Sequence, residues 1–295
     1  MNKRVLSAAG RTLDLTRPQV MAVLNLTPDS FSDGGTLYQG NALSLDSVLR
    51  RAENVVNEGG DLFDLGGEST RPGANAVSAS EECERVLPVL EALHSRFELP
   101  ISIDTSNPEL MVEAIKAGAF MINDVRALER PGALDAVSSA DVAVCLMHMQ
   151  GAPSTMQKAP SYQKVDIEVS AYLQGRALLC EHSGVSREQI VLDPGFGFGK
   201  TLAHNLSLFN SLGELSTLPY PLLVGVSRKS MIASILSRDG ALRAVDQRMA
   251  GGLALATIAA MQGVSIIRTH DVQATRDAVD TVQALKSHQI ERDIN

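Results

Sequence analysis

Polar residues of types that bind or react stand at the ends of eight short apolar runs in this chain. Asn25 follows the run 20–24, Glu68, Ser69, Thr70 and Arg71 follow 62–65, Asp104 follows 101–103, and Asn123 and Asp124 follow 120–122. His148 follows 142–147, Asp193 follows 190–192, Ser227, Arg228, Lys229 and Ser230 follow 221–226, and Arg268 with His270 follows 264–267. Asp104, Asn123, Asp193 and Lys229 together supply two carboxylates, an amide and an ammonium, a set of donors and acceptors suited to a flat polar heterocycle. A carboxylate accepts two parallel N–H bonds, which complements the amino-pyrimidinone edge of a pterin or a guanine. Any one of the four could instead cap a helix, as Asp104 could ahead of Thr105 and Ser106. Four together point to a ring-reading pocket.

Arg268 and His270 are two residues apart at a strand end, so their side chains share a face and could grip a phosphate through a guanidinium and an imidazole. The alternative for His270, next to Asp271, is a structural hydrogen-bond partner at a helix start. Asn25 offers an amide oxygen, the kind of single ligand that goes with Mg2+ held mainly by waters and substrate phosphates. Two segments rich in Gly, Ser and Asp, 27–35 and 66–73, read as lids. Asp29, Ser32 and Asp33 in one, with Ser69, Thr70 and Arg71 in the other, could close over a charged intermediate and exclude water; plain surface turns are the alternative. The segment DPGFGFGKT (193–201) ends like a phosphate loop, but Pro194 stands where that loop needs glycine. Its glycines read instead as letting the backbone approach a ligand, with Phe196 or Phe198 as an apolar wall.

The elements that must position these residues follow from hydrophobic period. Each apolar run has strand length, and amphipathic stretches such as 80–97, 108–117, 165–182, 248–262 and 275–286 lie between them. An opening hairpin is expected from 4–6 and 12–15 around Gly10. Strand and helix repeated eight times predict an α/β fold, a single-domain (β/α)8 TIM barrel spanning 1–295, with an open doubly wound sheet as runner-up. A barrel would turn all eight strand ends toward one another. The composition agrees: of 295 residues, 44% are hydrophobic and only 4% aromatic with no Trp, so Leu, Val, Ile, Ala and Met must fill the core, as buried parallel strands require.

The formal net charge of -8 disfavours nucleic acid and anionic membrane surfaces as partners. Three scattered cysteines, Cys83, Cys145 and Cys180, fit reduced thiols rather than a disulfide frame or a zinc site. No signal-peptide pattern opens the chain, and the longest apolar stretch, 253–261, is about half of the ~20 residues a membrane span needs. A cytoplasmic protein is expected.

The segments LNLTPDSFSDGG (24–35), GGESTRPG (66–73), SIDTS (102–106), IND (122–124), LMHMQG (146–151), LDPGFGFGK (192–200), GVSRKS (225–230) and RTH (268–270) resemble, in order, the motifs of the dihydropteroate synthase family. The resemblance runs from about residue 20 to 271. It implies a transferase of folate biosynthesis, the target of sulfonamides, that joins 6-hydroxymethyl-7,8-dihydropterin diphosphate to p-aminobenzoate, giving 7,8-dihydropteroate and diphosphate. It implies that Asp104, Asn123, Asp193 and Lys229 read the pterin, and that Arg268, His270 and Thr70 meet the pterin diphosphate, with Mg2+ near Asn25. Phe31, Ser69, Arg71, Pro72, Phe198 and Ser230 would form the p-aminobenzoate side. Asp33, Asp104, Lys229, Arg268 and His270 would carry catalysis through an SN1-like substitution, and the chain would be a homodimer, for which the apolar helix near 248–261 is a candidate surface. Two rivals are a pterin-binding methyltransferase and a pterin-binding protein without turnover; the lids and the Arg–His pair argue against the first.

Overall fold

The computed structural model describes residues 5–27, 37–39, 42–68, 77–151 and 155–294, in which helices separate the eight strands of the main sheet. A hairpin, β1 (Val5–Ala8) and β2 (Arg11–Asp14), comes first. Its turn residues Ala9 and Gly10 both have positive φ, 49° and 66°, the left-handed two-residue turn that matches strand twist. Then come β3 (Gln19–Asn25), a small ribbon of β4 (Tyr38–Gln39) and β5 (Ala42–Leu43), α1 (Leu45–Asn57), β6 (Leu62–Gly66), α2 (Ala79–Arg96), β7 (Ile101–Asp104), α3 (Pro108–Lys116), β8 (Met121–Asp124) and α4 (Ala133–Val137). The second half adds β9 (Ala143–Met147), α5 (Val165–His182), β10 (Ile190–Asp193), α6 (Leu202–Asn210), α7 (Leu212–Leu215), β11 (Leu223–Gly225), α8 (Ser230–Ile235), α9 (Met249–Met261), β12 (Ile266–Thr269) and α10 (Val272–Ile294).

Eight strands form one parallel sheet in the order β10-β9-β8-β7-β6-β3-β12-β11. The sheet curls until its edges meet: Leu192 bridges Leu222 in parallel and donates its N–H to Pro221 O at 2.9 Å. This is the expected (β/α)8 barrel, and the open sheet is set aside. Side chains alternate along every strand. Val20, Ala22, Leu24, Phe63, Leu65, Ile103, Val144 and Leu192 pack outward against the helices in one core. Met21, Leu62, Met121, Cys145, Val191, Leu223 and Ile266 point inward and form a second core with Leu6, Ala8, Leu13 and Leu15 of the hairpin. The hairpin thus plugs the N-terminal end of the barrel, anchored where Asp141 accepts from Ala9 N through its carbonyl and from Gly10 N through its carboxylate.

The strands fall within one to two residues of expectation at most ends, and they run further into the polar residues than the apolar runs do. Asp104 pairs with Asn123, and Asn123 and Asp124 pair with Cys145 and Leu146. Backbone ladders continue regardless of side-chain polarity, so these residues are the last rungs of strands and not the first residues of loops. The helices are capped where sequence signals stand: Ser44, Ser78 and Asn107 side chains accept from Ser47, Glu81 and Glu109 N–H groups.

Candidate active site

The inward positions next above the apolar plug are polar and charged. Asp64 lies on β6, Asp104 on β7, Asn123 on β8, Asp193 on β10 and Arg268 on β12. Arg268 spans the barrel: its Nε donates to Asp64 Oδ2 at 2.6 Å and its Nη2 to Asp104 Oδ2 at 2.9 Å. Asn123 Nδ2 donates to the same Asp64 oxygen at 3.2 Å. Asp64 is fully buried, and solvent reaches Asp104 and Arg268 only slightly, from the C-terminal mouth. Burial opposes the Arg268 charge, but the Asp64 and Asp104 carboxylates outweigh it and hold the guanidinium above its ordinary range. Burial pushes Asp104 up to about 7; Arg268 pulls it back, while Asp64 and then Asp124 push it further up.

Lys229 enters the layer from the segment after β11, the strand beside β12. It is the cap residue of α8, and its backbone leaves β11 so that the ammonium reaches Phe196 O at 2.7 Å and lies 4.7 Å from the centre of the Phe198 ring. Burial lowers Lys229 to about 8, with Asp193 working against that shift. Asp193 is raised by burial and drawn back chiefly by Lys229, and its Oδ1 accepts the Gly195 N–H at 2.8 Å. Phe198 is half-buried at the mouth, whereas Phe196 is buried in the outer core against Phe209, so of the two only the Phe198 ring faces the mouth.

The remaining expected residues sit around this layer. Asn25 ends β3, and a Cβ on the neighbouring Gly66 would lie 3.8 Å from Asn25 Oδ1 and 3.9 Å from Asp104 Oδ2, so both oxygens face one spot. His270 Nδ1 is 3.1 Å from Ser227 Oγ, which also accepts the His270 N–H at 3.2 Å. Arg228 pairs with Asp271, and Ser230 opens α8 at the exposed rim. Asp29, Phe31, Ser32, Asp33, Ser69, Thr70, Arg71 and Pro72 lie outside the described residues. The helix-cap alternative fails for Asp104, because Asn107 caps α3. Asp124 instead ties down the turn that follows β8: its carboxylate accepts from Ser106 and from the N–H groups of Arg126 and Leu128.

Two residues of the site were not singled out from sequence. Asp64 is one; its signal was a charge inside the apolar run 62–65, two residues from inward-facing Leu62. Lys200 is the other: it ends the glycine segment and is almost wholly buried behind it. His148 meets the Lys200 ammonium at 3.0 Å, and burial, then the Lys200 charge, lower its imidazole to about 3, so the ring is neutral.

Comparison with known proteins gives a consistent picture. Residues 21–270 match the family described as pterin binding enzyme. The chain is 51% identical over 282 residues to a protein of Escherichia coli (strain K12) named dihydropteroate synthase, covering 96% of each. In structure it is similar to Yersinia pestis dihydropteroate synthase in a sulfonamide drug complex, with a TM-score of 0.89, 48% identity and coverage of 96% and 99% of the two chains. It is also similar to Xanthomonas albilineans dihydropteroate synthase with 4-aminobenzoic acid, with a TM-score of 0.87, 45% identity and coverage of 97% and 99%.

Proposed function

The chain belongs to the dihydropteroate synthases of the pterin-binding enzyme family, and from that premise we propose how its barrel mouth joins 6-hydroxymethyl-7,8-dihydropterin diphosphate to p-aminobenzoate. It is a transferase of folate biosynthesis. The observation that carries the reading is the convergence of Asp104, Asn123, Asp193 and Lys229 on one buried polar layer, with Phe198 at its rim.

Asp193 and Asn123 meet the amino-pyrimidinone edge of the pterin, the carboxylate accepting paired N–H bonds, while the Lys229 ammonium donates to ring acceptors. Asp104 faces the ring from β7 and balances charge with Arg268. The exocyclic C–O bond to diphosphate then breaks heterolytically. The electron pair leaves with the diphosphate, and the dihydropterin ring delocalises the positive charge. The p-aminobenzoate nitrogen attacks the carbon with its lone pair and loses one proton, which the released diphosphate or water takes up. Arg268 and His270, on the same strand end, stabilise the departing anion by hydrogen bonds in a water-poor mouth. Asp33, Thr70 and the other lid residues shelter the cation until it is captured, with Phe31, Ser69, Arg71, Pro72, Phe198 and Ser230 facing p-aminobenzoate.

Mg2+ at the mouth is supported by Asn25, whose amide oxygen turns toward the same spot as the Asp104 carboxylate; a cation held there would take further ligands from water and substrate phosphates. When bound it supplies charge neutralisation for diphosphate. The homodimer is supported by exposed Met249, Ile258 and Met261 along α9 and Leu285 on α10. The cytoplasm is supported by three unpaired thiols, and no helix among the described residues is long and apolar enough to cross a membrane. The test is diphosphate release by the purified chain with Mg2+ and pterin diphosphate. Release that requires p-aminobenzoate and disappears in Lys229→Ala and Asp193→Ala is expected; pterin binding without release would overturn the reading.

A further inference from the structure

The loop that joins β10 to α6 is held by its carbonyl groups. Five in succession, residues 195 to 199, each accept from a side chain. Lys200 Nζ donates to Gly195 O at 2.9 Å and Phe198 O at 3.1 Å; Lys229 reaches Phe196 O at 2.7 Å, Gln157 Nε2 reaches Gly197 O at 2.6 Å, and Tyr162 Oη reaches Gly199 O at 2.8 Å. Lys200 takes two of the five and is only 3% exposed, whereas the other three donors reach solvent in part. Its ammonium also lies 3.3 Å from His148 O and 3.0 Å from His148 Nδ1, so it joins this loop to the segment that follows β9.

The two backbones touch at that junction. A Cβ on Gly195 would fall 1.9 Å from His148 O, and one on Gly199 would fall 2.3 Å from Gln150 O. With Gly195, Gly197 and Gly199 at positive φ, the loop between them has few side chains with which to hold its own shape. We propose that Lys200 is a positioning residue for the second substrate: by drawing two loop carbonyls and His148 onto one buried ammonium, it sets the Phe198 ring at the rim. The inference rests on Phe198 facing p-aminobenzoate. Burial lowers Lys200 to about 7, so keeping this charge inside opposes stability and fits a role in geometry.

The test uses the full chain with Lys200→Met, which keeps length and loses every donor, and Lys200→Arg, which keeps the charge on a rigid fork unable to converge on those acceptors. Steady-state kinetics gives KM for p-aminobenzoate and kcat, and calorimetry gives Kd for the pterin diphosphate. Losing a charge-assisted set of hydrogen bonds should raise the p-aminobenzoate KM at least ~10-fold in Lys200→Met, with kcat and pterin diphosphate Kd changed by less than ~3-fold. Lys200→Arg should move the same constant in the same direction, and it carries the test if the methionine variant does not fold. An unchanged p-aminobenzoate KM in the folded variants, or a pterin Kd that rises in step with it, overturns the proposal. Failure of the underlying reading is distinct: the unaltered chain would then release no diphosphate with both substrates.

Discussion

Replacing Asp64 by asparagine removes a buried charge while keeping its shape, and the consequence should appear at Asp104. Both carboxylates share the Arg268 guanidinium, through contacts of 2.6 and 2.9 Å, so they are held close and neither can move away. At a separation on the order of 6 Å and an effective dielectric of ~20, two negative charges repel by ~3 kcal/mol. Arg268 between them offsets part of this, and even half, ~1.4 kcal/mol, is a tenfold change in proton affinity. The sign is fixed: Asp64 favours the protonated form of Asp104, so its loss must lower the Asp104 midpoint from about 7. The assay is kcat/KM for the pterin diphosphate against pH at constant ionic strength, where ionisation of Asp104 sets the acid limb. In Asp64→Asn that limb should move to lower pH. Unfolding gives a second readout. A carboxyl raised in the folded state favours folding most while protonated, so its contribution falls as pH rises from ~4 toward 7, and it should fall less in the variant. The loss of one charge-assisted bond costs ~1.5–3 kcal/mol, less if the asparagine oxygen still accepts from Arg268. An acid limb that stays in place or moves to higher pH would refute the electrostatic coupling of the two carboxylates.

Lys229→Met should lower kcat/KM for the pterin diphosphate by ~10²-fold, since it removes the bond to Phe196 O and leaves Asp193 without its main counter-charge; a loss under threefold would count against the assignment. Gly195→Ala meets His148 O at 1.9 Å with φ at +70°, so denaturant unfolding should show a loss above ~3 kcal/mol or no folded protein. Leu6→Ala hollows the plug at the far end of the barrel and should cost ~2–4 kcal/mol of stability while kcat at 25 °C stays within twofold. Asp33→Ala should depress kcat with pterin binding intact by calorimetry; a wild-type kcat would remove Asp33 from catalysis.

The barrel was legible because its two requirements are written at different periods. Alternation by two separates Phe63 and Leu65 from Leu62 and Asp64, and the helices between strands repeat at the longer period. The polar set at the mouth was legible because Asp104, Asn123 and Asp193 stand at C-terminal strand ends and Lys229 caps the helix after β11, where barrel geometry collects side chains. What escaped depends on distance in space. Asp64 lies inside an apolar run and acquires meaning only when Arg268, 204 residues away, reaches it. Lys200 looked like the end of a failed phosphate loop because its partners are carbonyls, which sequence does not distinguish from one residue to the next. The strand ends were placed too early for a related reason: polarity marks what a side chain meets, whereas pairing of Asn123 and Asp124 with Cys145 and Leu146 is a backbone matter.

The thin closure between β10 and β11 makes the barrel a split ring. Neighbouring strands elsewhere share three to five paired residues, while this seam is spanned by a single bridge, Leu192 to Leu222. Asp193 stands at one lip of the split and the chain leading to Lys229 leaves from the other, and their attraction crosses the gap. A flat ring lodged between that carboxylate and that ammonium would act as a clasp, tightening the hoop it sits in. Occupancy of the mouth would then be felt as stiffness down the wall, with the seam amides of Leu192 and Leu223 exchanging more slowly in the clasped ring than in the open one.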